Sequence, residues 1–360
     1  MEDNKRNSHK IFKLFILLLL IGVLFFINKD NQMKFIQAYK SLTIREKSME
    51  KIGAINLSQS NNKIGLYEEN IALWGNDKLS IIDINNNPIM EKEFNFENPD
   101  AVFRENRIYV MDKSSGDIYI INSNGDTLER LDLDNNIYNL FVDEDNIMVH
   151  TKSEVQENLV LLNTDGVFLR IHPLEDRNIL TYDIDKKREK YLISNLNIRD
   201  NLESEINVYS INGDPIDQVS ISDEIIIFTK FIDEDLITLT DKCLYYIRDS
   251  KIYWKKSFTD IKNVVLNNNL IYVLYGPNLE VVDLEGRTVE KFYLSIEYNK
   301  IRDFDKYILL IGDNNLLGIQ GNKEILEYKH EANINDIIVN KNYLGIVDNS
   351  KMHLFKVNNK

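Results

Sequence analysis

Cysteine is almost absent from this chain of 360 residues: Cys243 stands alone, so no intramolecular disulfide can form. It falls on a row of apolar strand positions and reads as a packed core side chain rather than a reactive thiol. Histidine is nearly as scarce. His9, His150, His172, His330 and His353 are scattered, with no two at the spacing of a metal-ligand pair, so no metal-binding residue is assigned. His150 lies in a strand pattern and reads as packed. The acidic groups at 132–134, 143–145, 183–185 and 233–235 lack the glycine and terminal glutamate of a calcium loop, and read as solvated turns. No Gly-Lys-Ser/Thr phosphate loop and no Gly-x-Ser-x-Gly elbow occurs, so no catalytic or cofactor-binding residue is assigned either.

Positive charge is lacking as well. The formal net charge is −14, and residues 1–34 hold six basic and three acidic side chains, which leaves −17 on the remainder. So acidic a body excludes nucleic acid as a partner and electrostatic docking on anionic lipid. Glycine, 14 in all, is sparse for a chain with this much strand pattern. Asparagine takes many turn positions instead, where it tolerates the left-handed region.

What is present is a repeat. Eight turns begin at Asn86, Asn124, Asp165, Asn212, Asp249, Glu285, Gly321 and Asn358, spaced by 38, 41, 47, 37, 36, 36 and 37 residues. Four residues before every turn stands an apolar or aromatic side chain, from Ile82 and Ile120 to Leu354. Four residues after the first seven come Met90, Leu128, Leu169, Ile216, Tyr253, Val289 and Ile325. The alternation before each turn is that of a strand, and Asn-Gly, Asp-Gly or Glu-Gly at four turns supplies the positive φ of a tight hairpin. Short strands at a period near 40 residues predict an all-β fold, an eight-bladed β-propeller whose four-stranded sheets surround a channel. Blade two shows its four strands plainly at 101–104, 107–112, 117–122 and 127–133. Blade eight has only three, so residues 49–57 are expected to supply the fourth and close the ring, removing two sheet edges.

The N-terminus carries an address. Residues 14–27 hold no polar side chain, and counting back across Lys13 to Ile11 gives about 25 Å of helix, the short end of a membrane span. No small-x-small cleavage site and no lipobox cysteine follow, which favours an uncleaved signal anchor. Lys5, Arg6, Lys10 and Lys13 lie at or before the start of the span, which predicts a cytoplasmic N-terminus and an extracytoplasmic propeller. The expected organisation is therefore a cytoplasmic tail (1–10), a transmembrane anchor (11–28), a stalk (29–48) and the propeller (49–360). Met33, Ile36, Tyr39 and Leu42 give the stalk the spacing of a short amphipathic helix, with a partly disordered linker as the alternative.

Trp254, within residues 250–258, follows the Asp249-Ser250 turn, and here the chain resembles the pyrroloquinoline-quinone-type propeller repeat. The resemblance implies that this Trp docks its blade on the next. The equivalent places hold Glu91, Glu129, Arg170, Asp217, Glu290 and Leu326, and the adjacent cysteine pair of quinone dehydrogenases is missing, so no cofactor is implied. Signatures of the WD, kelch and sialidase Asp-box repeats are missing too. The whole layout resembles the signal-anchored bacterial β-propellers grouped as a domain of unknown function.

These readings converge on a single-pass membrane protein whose propeller serves as a protein-binding scaffold in the cell envelope. An enzyme with its site in the channel mouth, and a sensor of a glycan or small ligand, are the alternatives. The expected contact site is a charged lip. The two longest repeat intervals place extra residues at 152–157 and 196–203, between second and third strands of neighbouring blades, with Lys152, Glu154, Arg199, Asp200 and Glu203 on one rim. Protease added to intact spheroplasts is expected to digest the propeller while the N-terminal segment stays in the membrane. Recovery of a soluble, secreted form lacking residues 14–27 would overturn the anchor.

Overall fold

The structure, a computed structural model, describes residue 31 and residues 44–360 apart from 59–62, 68–69, 105–106, 144–145, 176–177 and 199–201. The apolar segment 11–28 lies outside the described residues. Among those described, no helix is long and apolar enough to cross a membrane.

Eight antiparallel sheets of four strands follow one another along the chain. Blade two is built from Pro99–Arg104, Arg107–Asp112, Asp117–Asn122 and Thr127–Asp132, in that order from the channel outward. The middle strands explain the architecture. Arg107–Asp112, Asn146–Lys152 and Tyr307–Gly312 are buried along almost their whole length, on both faces. A sheet apolar on both faces must be covered on both, and in a chain of strands neighbouring sheets do so. Eight hydrophobic clusters result, each spanning the gap between two consecutive blades. Cys243 is packed in the one between blades four and five.

The ring closes between the two ends of the described chain. Asp336–Asn340, Tyr343–Val347 and Lys351–Asn359 form the first three strands of blade eight, and Lys47–Asn56 is its fourth. The closing strand begins two residues inside the segment expected as stalk. The turn expected at Asn358 is not one: the third strand runs straight through it, Asn358 paired with Ser48 and Asn359 with Lys47. Seven hairpins join third to fourth strands; in the eighth blade a strand from the other end of the chain takes the hairpin's place.

Every outermost strand carries one bulged residue. Pairing skips Ile89, Leu128, Leu169, Ile216, Tyr253, Val289 and Ile325 in blades one to seven, and Ile52 in the closing strand. A bulge adds local twist and bends the strand, and here the bend recurs at one height around the whole ring. Just beyond it, a side chain of blades one, three and five docks on the next blade. Trp254 donates its indole N–H to the Leu284 carbonyl of blade six at 2.9 Å, and its ring covers Gly286 so closely that a Cβ there would meet it at 2.9 Å. The docking implied by the propeller resemblance is therefore made. Arg170 lies against Gly213 of blade four in the same way, and Met90 against Gly125 of blade two. Only the docking side chain differs.

Ile55, 1 % exposed, anchors the closing strand in the cluster shared by blades eight and one, whereas the bulged Ile52 is 39 % exposed. Ile55→Ala is expected to lower unfolding stability by about 2–5 kcal/mol. Ile52→Ala should change it by less than about 0.5 kcal/mol in the same denaturant titration. Equal effects would show that this strand does not hold the ring.

Candidate functional site

In each blade the turn between second and third strands opens on the same rim as the link from one blade to the next, because the sheets are antiparallel and follow one order. Backbone bonds tie the two together: the Lys152 N–H reaches the Asn136 carbonyl, and the Asp241 N–H that of Ile225. Three of the five lip residues are described. Lys152 ends the second strand of blade three, Glu154 is exposed in the turn beyond it, and the half-buried Glu203 opens the third strand of blade four, Glu203–Ser210. Arg199 and Asp200 lie outside the described residues.

Lys152 is not a loose surface charge. Its ammonium pairs with Glu157, a buried carboxylate whose other oxygen accepts from His150 Nε2 at 3.0 Å and from the Ile179 N–H of blade four at 2.7 Å. Burial opposes ionisation of Glu157, but the bonds from Lys152 and the Ile179 N–H outweigh it and hold its pKa below the ordinary value. Burial likewise pushes His150 below the usual histidine range, with the adjacent carboxylate only partly offsetting it. This group staples blade three to blade four. Ser204 does the equivalent work one blade on, accepting from the Ile226 N–H. What crowns the two turns is apolar: Val155 is 82 % exposed and Ile198 64 %. Charge drew attention to these turns in the sequence, and the apolar residue set among the charges was the signal missed.

A second surface lies toward the other end of blade three, where the outermost strand leaves its hairpin. The outermost strand of blade three, Phe168–Glu175, exposes Phe168, Leu169 and Ile171, with exposed Val167 just ahead of it. No other outermost strand leaves three large apolar side chains in solvent. Among the described residues its outer edge pairs with no further strand, so backbone donors and acceptors lie beside that apolar row.

The third feature was illegible in the sequence. His330, in the link from blade seven to blade eight, and His353, in the third strand of blade eight, meet at Asp348, in the turn before that strand. Their ring centroids are 4.8 Å apart. Asp348 Oδ1 is held by the Ser350 and Lys351 N–H groups at 2.9 and 2.8 Å, and Oδ2 faces His353 Nε2 at 2.9 Å and His330 Nε2 at 3.6 Å. Burial opposes ionisation of Asp348, yet these bonds hold its pKa well below the usual carboxylate range. Among the described residues, His330 Nε2 and His353 Nδ1 are buried without a hydrogen-bond partner. The scattered histidines of the sequence are thus corrected in one place: residues 330 and 353 are neighbours because link and strand share a rim. A cavity of about 520 Å³ lies on the innermost strands of blades seven, eight, one and two, walled by Phe103, Arg104, Arg302 and Asp336.

The sequence matches the family described as "Family of unknown function (DUF5711)" over residues 36–356. The chain belongs to that family. A comparison with curated protein sequences finds no match. Among solved structures it is similar to BamB from Moraxella catarrhalis, with TM-score 0.57 and 10% identity over 86% of this chain and 100% of that one. It is also similar to the C-terminal WD40 domain of Sif2, with TM-score 0.62 and 13% identity over 86% and 98%. At these identities the likeness is one of fold.

The acidic groups of this DUF5711 chain are not all solvated turns. Asp183 lies in the innermost strand of blade four, Asn178–Asp185, 5 % exposed, and accepts the Phe231 N–H of blade five at 2.8 Å. Burial raises its pKa to about 6, against the lowering effect of that bond and of Lys230. The folded state therefore holds this proton more tightly than the unfolded chain. Its contribution to stability is present below about pH 4 and lost as pH rises through about 6. Asp183→Asn, which keeps an acceptor for Phe231, is expected to stabilise the fold at pH 7.5 by on the order of 2 kcal/mol and to flatten the slope between pH 4 and 6. An unchanged slope in urea titrations across that range would refute it.

Proposed function

We propose that this propeller is a protein-binding scaffold, held at the outer face of a membrane by residues 11–28, and that blades three and four carry its contact surface. The anchor reading is supported by the unbroken apolar run 14–27 and the basic residues before it. The observation that carries the scaffold reading is the outermost strand of blade three. Exposed apolar side chains along an unpaired strand edge offer both halves of β-strand recognition: backbone hydrogen bonds for affinity, and an apolar row that a partner strand can cover. Exposed patches of this kind on a soluble body mark interaction sites. The rim turns with Val155, Ile198 and the charged lip give the same two blades a second, separate contact area, at the other end of blade three.

Two altered chains test this in cells. One carries Phe168→Glu with Ile171→Glu; the other has residues 197–203 replaced by a short Gly-Ser turn. Cross-linked partner adducts should fall at least tenfold in the first and be weakened in the second, with circular dichroism unchanged. An adduct pattern identical to that of the unaltered chain in both would remove blades three and four as the contact surface.

A further inference from the structure

The His330–Asp348–His353 cluster has the makings of a cation site. Two imidazole Nε2 atoms converge on one carboxylate oxygen, and the three donor groups lie within 4.8 Å of one another. Tetrahedral zinc, with nitrogen and oxygen ligands at 2.0–2.2 Å, sets its ligands about 3.3 Å apart. The two histidine–carboxylate spacings, 2.9 and 3.6 Å, bracket that value, and the donor atoms of the two rings lie within 4.8 Å of each other. A second observation points the same way. His330 is 5 % exposed, and among the described residues its Nε2 makes no hydrogen bond, since 3.6 Å to Asp348 is beyond reach of one. A buried nitrogen left in that state is costly, and a cation in front of it would use its lone pair.

The surroundings are organised to present these atoms. Asp348 spends Oδ1 on the turn that fixes it and leaves Oδ2 aimed at both rings. His330 Nδ1 faces the Tyr328 hydroxyl at 3.5 Å, the outer contact that orients a ligating histidine. Two imidazoles and one carboxylate suit a late first-row divalent ion better than calcium or magnesium, which take oxygen ligands.

We propose that His330, Asp348 and His353 bind one zinc-class divalent cation. Its place gives it a task distinct from the contact surface on blades three and four. His330 comes from the link that leads into blade eight, and His353 is paired with Ala54 of the closing N-terminal strand. An ion there would clamp the incoming link to the sheet in which the ring is closed.

The test uses the purified full-length chain, stripped of metal and titrated with zinc against a chromophoric chelator. One equivalent should bind, and the thermal unfolding midpoint should rise with zinc. His330→Ala, Asp348→Asn and His353→Ala should each weaken binding at least tenfold and abolish the zinc-dependent rise, while His172→Ala leaves both unchanged. Should a variant fail to fold, cobalt(II) added to the unaltered chain decides the matter. A visible d–d band displaced by zinc is expected, and a spectrum no different from cobalt in buffer would overturn the site. Zinc binding that survives His330→Ala undiminished would overturn it equally.

Discussion

The whole structure depends on sheets that are apolar on both faces. A strand such as Tyr307–Gly312, buried at every position, cannot sit on the surface of anything. In a chain built of strands it takes a sheet on each side, and each of those takes another, so the run of blades leaves no uncovered apolar face once it closes into a ring. Eight inter-blade clusters are the direct expression of that demand. Closure by the N-terminal strand follows, because a blade eight of three strands would leave Phe355 and Val357 beside an open edge.

That constraint also decides where function can reside. Middle strands are consumed by packing, so what remains free is the rim turns, the outermost edges and the channel wall. Polar groups near the rim are drawn into stapling blades: Glu157 reaches the backbone of blade four, Ser204 that of blade five, and Asp183 does so from the innermost strand. A charged residue seen in a turn is therefore weak grounds for a binding site, as the pairing of Lys152 with Glu157 shows. An apolar residue left in solvent is stronger grounds, since the fold gives it nothing to cover. The likeness to BamB and to a WD40 domain extends to the fold and stops there, because propellers of one shape serve many ends.

The repeat determined by the sequence was a local matter and was legible for that reason. Strand alternation and turn chemistry act within a dozen residues, so the four strands of blade two can be read almost to the residue, as can the burial of Cys243 and His150. What only the tertiary structure decided depends on residues far apart in the chain. Strand pairing across the ends turned Asn358 from a turn residue into a strand residue. Adjacency between blades gave Arg170 and Met90 the docking role that a Trp plays in blade five, since what matters there is a side chain long enough to reach the next blade's turn. His330 and His353 are 23 positions apart, with Asp348 between them, and no local pattern joins them. They meet because a link and a turn share one rim, and that is a property of the ring.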